Sequence, residues 1–159
     1  MKIGSKVKNF SAEMTGNKKF SLKEFTGKNI VLYFYPRDNT PGCTSESIDF
    51  RDNFKSFQKK NTLIFGISKD SLSSHEKFKE KFNFPFELIS DPEEKVCKAF
   101  DVIKEKSMYG KKYLGIERST FLVDSKGKLK KEWRKVKVKG HVEEVLNSIA
   151  VSYTHLRAH

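Results

Sequence analysis

Two apolar runs constrain this chain more than anything else in it. Asn29 to Tyr35 (NIVLYFY) and Thr62 to Ser68 (TLIFGIS) are nearly unbroken stretches of β-branched, aliphatic and aromatic residues. Neither alternates with polar residues, so neither reads as a strand with one wet face. Runs of this length and composition are strands buried on both sides, as in a sheet covered by helices. Between them, roughly from Pro41 to Lys59, Ile48, Phe54 and Phe57 form an apolar stripe, and Asp49, Arg51, Asp52 and Lys55 occupy polar positions. That spacing predicts an amphipathic helix. Strand, helix and strand in this order point to an α/β fold.

The remaining elements follow from local signals. Ser21 to Glu24 has the capping-box pattern and predicts a short helix ended by Gly27. Ser73 and Glu76 repeat that pattern before a helix carrying Phe78 and Phe82. Phe86 to Ser90 reads as a short strand. Asp91-Pro92 fits an N-cap followed by proline at the first helical position, opening a helix to about Phe100. The polar stretch from Ile103 to Glu117, with Gly110 and Gly115, reads as a long loop. Ser119 to Asp124 and Lys130 to Val138 read as two strands joined at Ser125-Lys126-Gly127, and His141 to Ile149 as the last helix. The pattern runs as one domain over residues 1–150. The tail over residues 151–159 breaks it and carries no assigned role.

Composition excludes several classes. The chain has 159 residues and a formal net charge of +12. No apolar run approaches the roughly 20 residues needed to span a bilayer, and Met1 to Phe10 has no signal-peptide core. A cytoplasmic protein without a membrane or nucleic-acid partner is expected. Eight of the 32 basic residues fall between Lys126 and Lys139. Val136 and Val138 alternate there with Lys135, Lys137 and Lys139, so the expected structure is a half-buried strand with a solvated lysine face. No recognised nucleic-acid motif accompanies these lysines. Two cysteines, Cys43 and Cys97, are too few for a disulfide scaffold, and the four histidines lack metal-ligand spacing. Neither a metal nor a cofactor is expected.

The chemistry concentrates at Pro36-Arg37-Asp38-Asn39-Thr40-Pro41-Gly42-Cys43, which joins a buried strand to a helix. With Thr40 as N-cap and Pro41 at the first helical position, Cys43 falls third in the helix. Backbone N–H groups there lack helical partners and the helix dipole is positive, so both favour a thiolate over a thiol. A lone cysteine can equally be a small buried hydrophobe; position alone leaves both readings open.

The residues around it carry a resemblance. FYPRDNTPGCTSES is similar to the active-site segment of peroxiredoxins, P-x-x-x-T/S-x-x-C, with Pro36, Thr40 and Cys43 at the required spacing. The fuller form Y-P-x-x-x-T-P-G-C-T-x-E resembles the bacterioferritin-comigratory (PrxQ) subfamily. Gly66 to Asp70 (GISKD), Ser90 to Pro92 (SDP) and Tyr113 to Asp124 (YLGIERSTFLVD) extend the likeness, which runs from about Met1 to Ala150. It implies a thioredoxin-like fold with a central mixed β-sheet flanked by helices, and thiol-dependent reduction of hydrogen peroxide and organic hydroperoxides. It also implies roles. Cys43 would be the peroxidatic nucleophile. Thr40 would orient the peroxide and hydrogen-bond the sulfur. Pro36 would shape and shield the pocket. Arg118 would hold the thiolate and polarise the peroxide. Glu46 matches a frequent family residue. A binding or regulatory protein on the same scaffold is the competing reading, and the intact set of Pro36, Thr40, Cys43 and Arg118 stands against it.

The pattern departs from its relatives at one place. Many carry a second, resolving cysteine five residues after the first, where this chain has Ile48. Cys97, among Val96, Ala99 and Phe100, is either core packing or a resolving partner for Cys43. Without a resolver, a sulfenic acid on Cys43 would be recycled by an external thiol: thioredoxin, glutaredoxin or a small molecule. A monomer or weak dimer is expected.

Overall fold

The computed structural model describes residues 1–149; the tail over residues 151–159 lies outside them. Seven strands form one mixed sheet. In chain order they are β1 (Ser11–Met14), β2 (Lys18–Ser21), β3 (Asn29–Phe34), β4 (Thr62–Ser68), β5 (Glu87–Ser90), β8 (Ser119–Val123) and β9 (Leu129–Trp133), arranged in space as β2-β1-β5-β4-β3-β8-β9. The two apolar runs are the central pair. β3 and β4 run parallel in register from Asn29 opposite Thr62 to Phe34 opposite Ile67. β8 flanks β3 antiparallel, placing Phe34 opposite Ser119.

Strand alternation divides β3 between two cores. Ile30, Leu32 and Phe34 point to one face, where they meet Phe65, Ile67, Phe100, Phe121 and Cys97. Val31, Tyr33 and Tyr35 point to the other, where they meet Phe50, Phe57, Phe78, Leu122, Val145 and Cys43. Helices α1 (Pro41–Asp52), α2 (Phe54–Lys59), α3 (Leu72–Phe82) and α5 (His141–Ser148) contribute to the second core, and α4 (Lys95–Ala99) to the first.

Several local expectations are corrected. The segment from Ile103 to Glu117 is not a loop. β6 (Ile103–Met108) and β7 (Lys111–Ile116) form an antiparallel hairpin, separate from the main sheet. Its two turn residues, Tyr109 and Gly110, both have positive φ (54° and 78°), the backbone that matches the twist of a tight hairpin. The signal was hidden because the strands are mostly polar and exposed. The helix expected over residues 41–59 breaks at Asn53 into α1 and α2. Ser21 makes no cap hydrogen bond; its hydroxyl donates to Asn9 Oδ1. Ser71, not Ser73, caps α3 by accepting from the Ser74 N–H. Asp91 is not the N-cap residue of α4, yet its carboxylate accepts from the Val96 and Cys97 N–H groups and so does the same work from further back. The strand expected over Lys130–Val138 stops at Trp133. Val136 and Val138 are still half-buried and Lys135, Lys137 and Lys139 exposed, but the segment forms no strand; its Val136 N–H donates to the Arg118 carbonyl.

Gly66 on β4 is fixed by a close approach. A Cβ there would sit 2.8 Å from the Tyr33 ring and 2.8 Å from Leu88. Tyr33 is fully buried and its hydroxyl is paired with Ser47, so it cannot swing aside. Gly66→Ala is expected to cost about 1–3 kcal/mol through overpacking. Urea unfolding of the variant checks this; a midpoint equal to the parent's would show that the ring has room.

Candidate active site

β3 ends at Phe34, and the chain turns through residues 35–40 into α1. Thr40 is the N-cap residue in extended conformation and Pro41 occupies the first helical position. Cys43 is therefore third in the helix, as its spacing predicts. The first helical bond runs from Thr44 N–H to the Thr40 carbonyl, which leaves the Gly42 and Cys43 N–H groups without helical acceptors. The Cys43 side chain is buried, only 1% exposed.

Arg118, at the start of β8, reaches this helix end. Its Nη2 donates to Cys43 Sγ at 3.4 Å, and its Nη1 donates to Glu46 Oε1 at 2.8 Å. The approach needs Gly42: a Cβ at that position would lie 3.0 Å from Nη2. A cation at this distance attracts a thiolate by something on the order of 4 kcal/mol at the effective dielectric of a protein. Part of that field is spent on Glu46. The Glu46 carboxyl is fully buried, and its second oxygen, Oε2, has no hydrogen-bond partner. Burial pushes it up to about 7, with Arg118 pulling the other way. Arg118 in turn stays firmly charged: burial alone would lower it, but Glu46 and Cys43 more than offset that.

Thr40 behaves differently from its expected role. Its hydroxyl donates to the Arg37 carbonyl at 2.9 Å rather than to the sulfur. With its proton committed there, the oxygen retains lone pairs able to accept a hydrogen bond. Pro36 is exposed and lines a groove beside the site.

Sequence reasoning missed a buried network behind the loop. The Asp38 carboxylate accepts from Tyr35 (2.6 Å), Ser74 (2.8 Å) and His75 Nδ1 (2.7 Å), while the Asp38 N–H donates to Asp70. His75 Nε2 faces the Ile89 carbonyl at 2.9 Å. Both ring nitrogens lie within hydrogen-bond distance of oxygens. The network ties the loop preceding Cys43 to α3 and β5. Asp38, Asp70 and His75 are the one cluster of metal-ligating residue types among the described residues. The polar atoms of Asp38 and His75 are already engaged with each other and with the chain. The only sequence trace of the network was a histidine facing inward on α3.

Cys97 and Cys43 are not brought together. Cys97 lies in the core on the opposite face of the sheet. Burial and the Asp91 carboxylate push its thiol well up, which suppresses the reactive thiolate. Ile48 is half-buried against the core that holds Cys43.

The Glu46 environment sets a pH dependence. Its folded value is raised above the unfolded 4.5 to about 7. Below 4.5 both states hold the proton; between 4.5 and 7 only the folded state does, so this group's contribution to stability falls as pH rises through that window. Glu46→Gln keeps an acceptor for Arg118 and removes the titration. Its stability relative to the parent is expected to improve by on the order of 2 kcal/mol between the ends of that window. Urea unfolding at both ends measures it; a constant difference would place the Glu46 titration outside the window.

Known proteins resemble this chain over most of its length. The AhpC/TSA family profile matches residues 3–132. The chain is 52% identical over 149 residues to peroxiredoxin Bcp of Bacillus subtilis, covering 94% of this chain and 95% of that protein. It is 49% identical to peroxiredoxin Bcp of Xanthomonas campestris over 136 residues, covering 86% and 85%. Among solved structures, PrxQ of Xylella fastidiosa superposes with a TM-score of 0.89 at 44% identity, covering 93% and 94% of the two chains. The bacterioferritin comigratory protein of Xanthomonas campestris, studied for alkyl peroxide reduction, gives a TM-score of 0.84 at 47% identity, covering 88% and 89%.

Proposed function

The chain belongs to the AhpC/TSA family, among its Bcp/PrxQ peroxiredoxins, and on that premise we propose that Cys43 is the nucleophile through which it acts as a thiol peroxidase. The fold is thioredoxin-like and the enzyme an oxidoreductase that takes a hydroperoxide as substrate and a thiol as reductant. The observation that carries the residue assignment is the Arg118 guanidinium bridging Cys43 and Glu46 at the start of α1.

The Cys43 thiolate attacks the terminal peroxide oxygen. An S–O bond forms, the O–O bond breaks, and the leaving oxygen takes a proton to depart as water or an alcohol. Negative charge moves from sulfur to oxygen along one axis. Arg118, bonded to the sulfur, and the N–H groups of Gly42 and Cys43, which lack helical acceptors, stabilise that charge as it develops. Thr40 accepts a hydrogen bond from the peroxide and Pro36 walls the approach. The product is a sulfenic acid on Cys43.

Recycling uses an external thiol, from thioredoxin, glutaredoxin or a small molecule. Ile48 supplies no resolving sulfur, and the placement of Cys97 across the sheet supports core packing rather than resolution. We take residues 1–150 as a single peroxiredoxin domain working in the cytoplasm as a monomer or weak dimer. Among the described residues no helix is long and apolar enough to cross a membrane.

Stopped-flow mixing with hydrogen peroxide tests the residue assignments. Cys43→Ser is expected to abolish peroxide consumption, because a serine hydroxyl is protonated and weakly nucleophilic at neutral pH. Arg118→Ala is expected to slow the first turnover by roughly 100-fold, and Cys97→Ser to leave that turnover intact. Rapid consumption by Cys43→Ser would refute the nucleophile, and an unchanged rate in Arg118→Ala would remove that residue from the site.

A further inference from the structure

The β6–β7 hairpin is unusual on this surface. Of the six large hydrophobic residues exposed among the described residues, four lie on it: Met108, Tyr109, Tyr113 and Leu114. Tyr109 at the tip is 97% exposed and Leu114 is 67% exposed. Scattered exposed apolar residues are ordinary; a concentration on one projecting element marks an interaction site.

The hairpin faces the loop that precedes Cys43. A groove of about 550 Å³ runs between it and the loop before Cys43, lined by Pro36 and Arg37 on one side and by Lys106, Met108, Tyr113 and Leu114 on the other. The stem of Lys106 lies close to Gly115. Burial, then Arg118, lowers the Lys106 ammonium, while Cys43 and Glu117 act the other way. Lys104 and Lys112 are paired with Asp101 and Glu105. Among the described residues Lys106 and Lys111 have no ion-pair partner.

We propose that the β6–β7 hairpin is the docking surface for the protein thiol that reduces oxidised Cys43, a partner presenting its sulfur from an apolar patch rimmed by carboxylates. The inference rests on Cys43 being the peroxidatic residue. Two observations select this occupant. The first is charge: the hairpin carries four lysines against one glutamate and Arg37 faces it across the groove, so an acidic rim is complementary. A second copy of this chain in a two-fold contact would set the same lysines against each other. The second is chemistry: with Ile48 after Cys43 and Cys97 across the sheet, the reducing sulfur has to come from outside, and the groove borders the loop that leads into the Cys43 helix. The partner's thiolate attacks the sulfenyl sulfur. The S–O bond breaks, the oxygen leaves with a proton as water, and a mixed disulfide forms. A second thiol of the partner then attacks that disulfide, releasing the Cys43 thiolate and an oxidised partner.

The test compares hydrogen peroxide turnover driven by reduced thioredoxin, by glutaredoxin and by dithiothreitol. Tyr109→Asp suits the left-handed backbone at the tip, and Lys111→Glu reverses the rim charge without touching the core. Each is expected to lower the ratio of thioredoxin-driven or glutaredoxin-driven to dithiothreitol-driven kcat/KM by about tenfold. The Lys111→Glu deficit is expected to shrink as salt is raised. An unchanged ratio in both variants overturns the proposal. So does a parent enzyme that turns over with dithiothreitol but with neither protein. A parent dimer that Tyr109→Asp splits, with the ratio unchanged, would assign the hairpin to self-association instead. Absence of turnover in the parent with all three reductants would overturn the peroxidase reading of Cys43 on which the proposal stands, a result distinct from a lost preference for protein thiols.

Discussion

The two-residue alternation of β3 governs the rest of the molecule. Because β3 is buried on both faces and locked in register between β4 and β8, each of its side chains is committed to one core. Tyr33 and Tyr35 go to the face that carries α1 and Cys43; Leu32 and Phe34 go to the face that carries Cys97. The same strand delivers Pro36 to the mouth of the site as it ends. The separation of the two sulfurs is therefore a consequence of strand geometry, and a bond between them would require one core to open.

Within the site, one cation serves two partners. Arg118 is held by Glu46 on one side and offers its other amine to Cys43. The buried carboxyl fixes the guanidinium in place at the cost of weakening its field at the sulfur. The second Glu46 oxygen has no hydrogen-bond partner, which adds to the cost of ionising this buried carboxyl. Behind the loop, Asp38 accepts three side-chain hydrogen bonds that reach from β3 to α3. Positioning of the Cys43 end of α1 is thus polar on both sides, while the sheet beneath it is almost wholly apolar.

This contrast explains what the sequence disclosed. β3 and β4 were legible nearly to the residue, because continuous apolar runs have one structural meaning at that length. Cys43 at the third position of a helix was legible from Thr40-Pro41. Helix α1 was read through Ile48, whereas its inner face is Cys43, Glu46, Ser47 and Phe50. Two of those are polar, so hydrophobic periodicity points to the wrong face wherever the site displaces the core. The hairpin was missed for the converse reason: its strands bury little, and only Tyr109-Gly110 encodes the turn. The Asp38–His75 pairing joins residues far apart in the chain and leaves no local pattern to read.

The account centres on a single reactive sulfur, with Cys43 oxidised alone and Cys97 a bystander. Mass spectrometry of the protein after one equivalent of hydrogen peroxide, with dimedone present, tests this most directly. The expected result is one oxygen equivalent, recovered as a dimedone adduct on the Cys43 peptide, with Cys97 still a thiol. A cross-linked peptide containing both cysteines, formed as fast as peroxide is consumed, would contradict it.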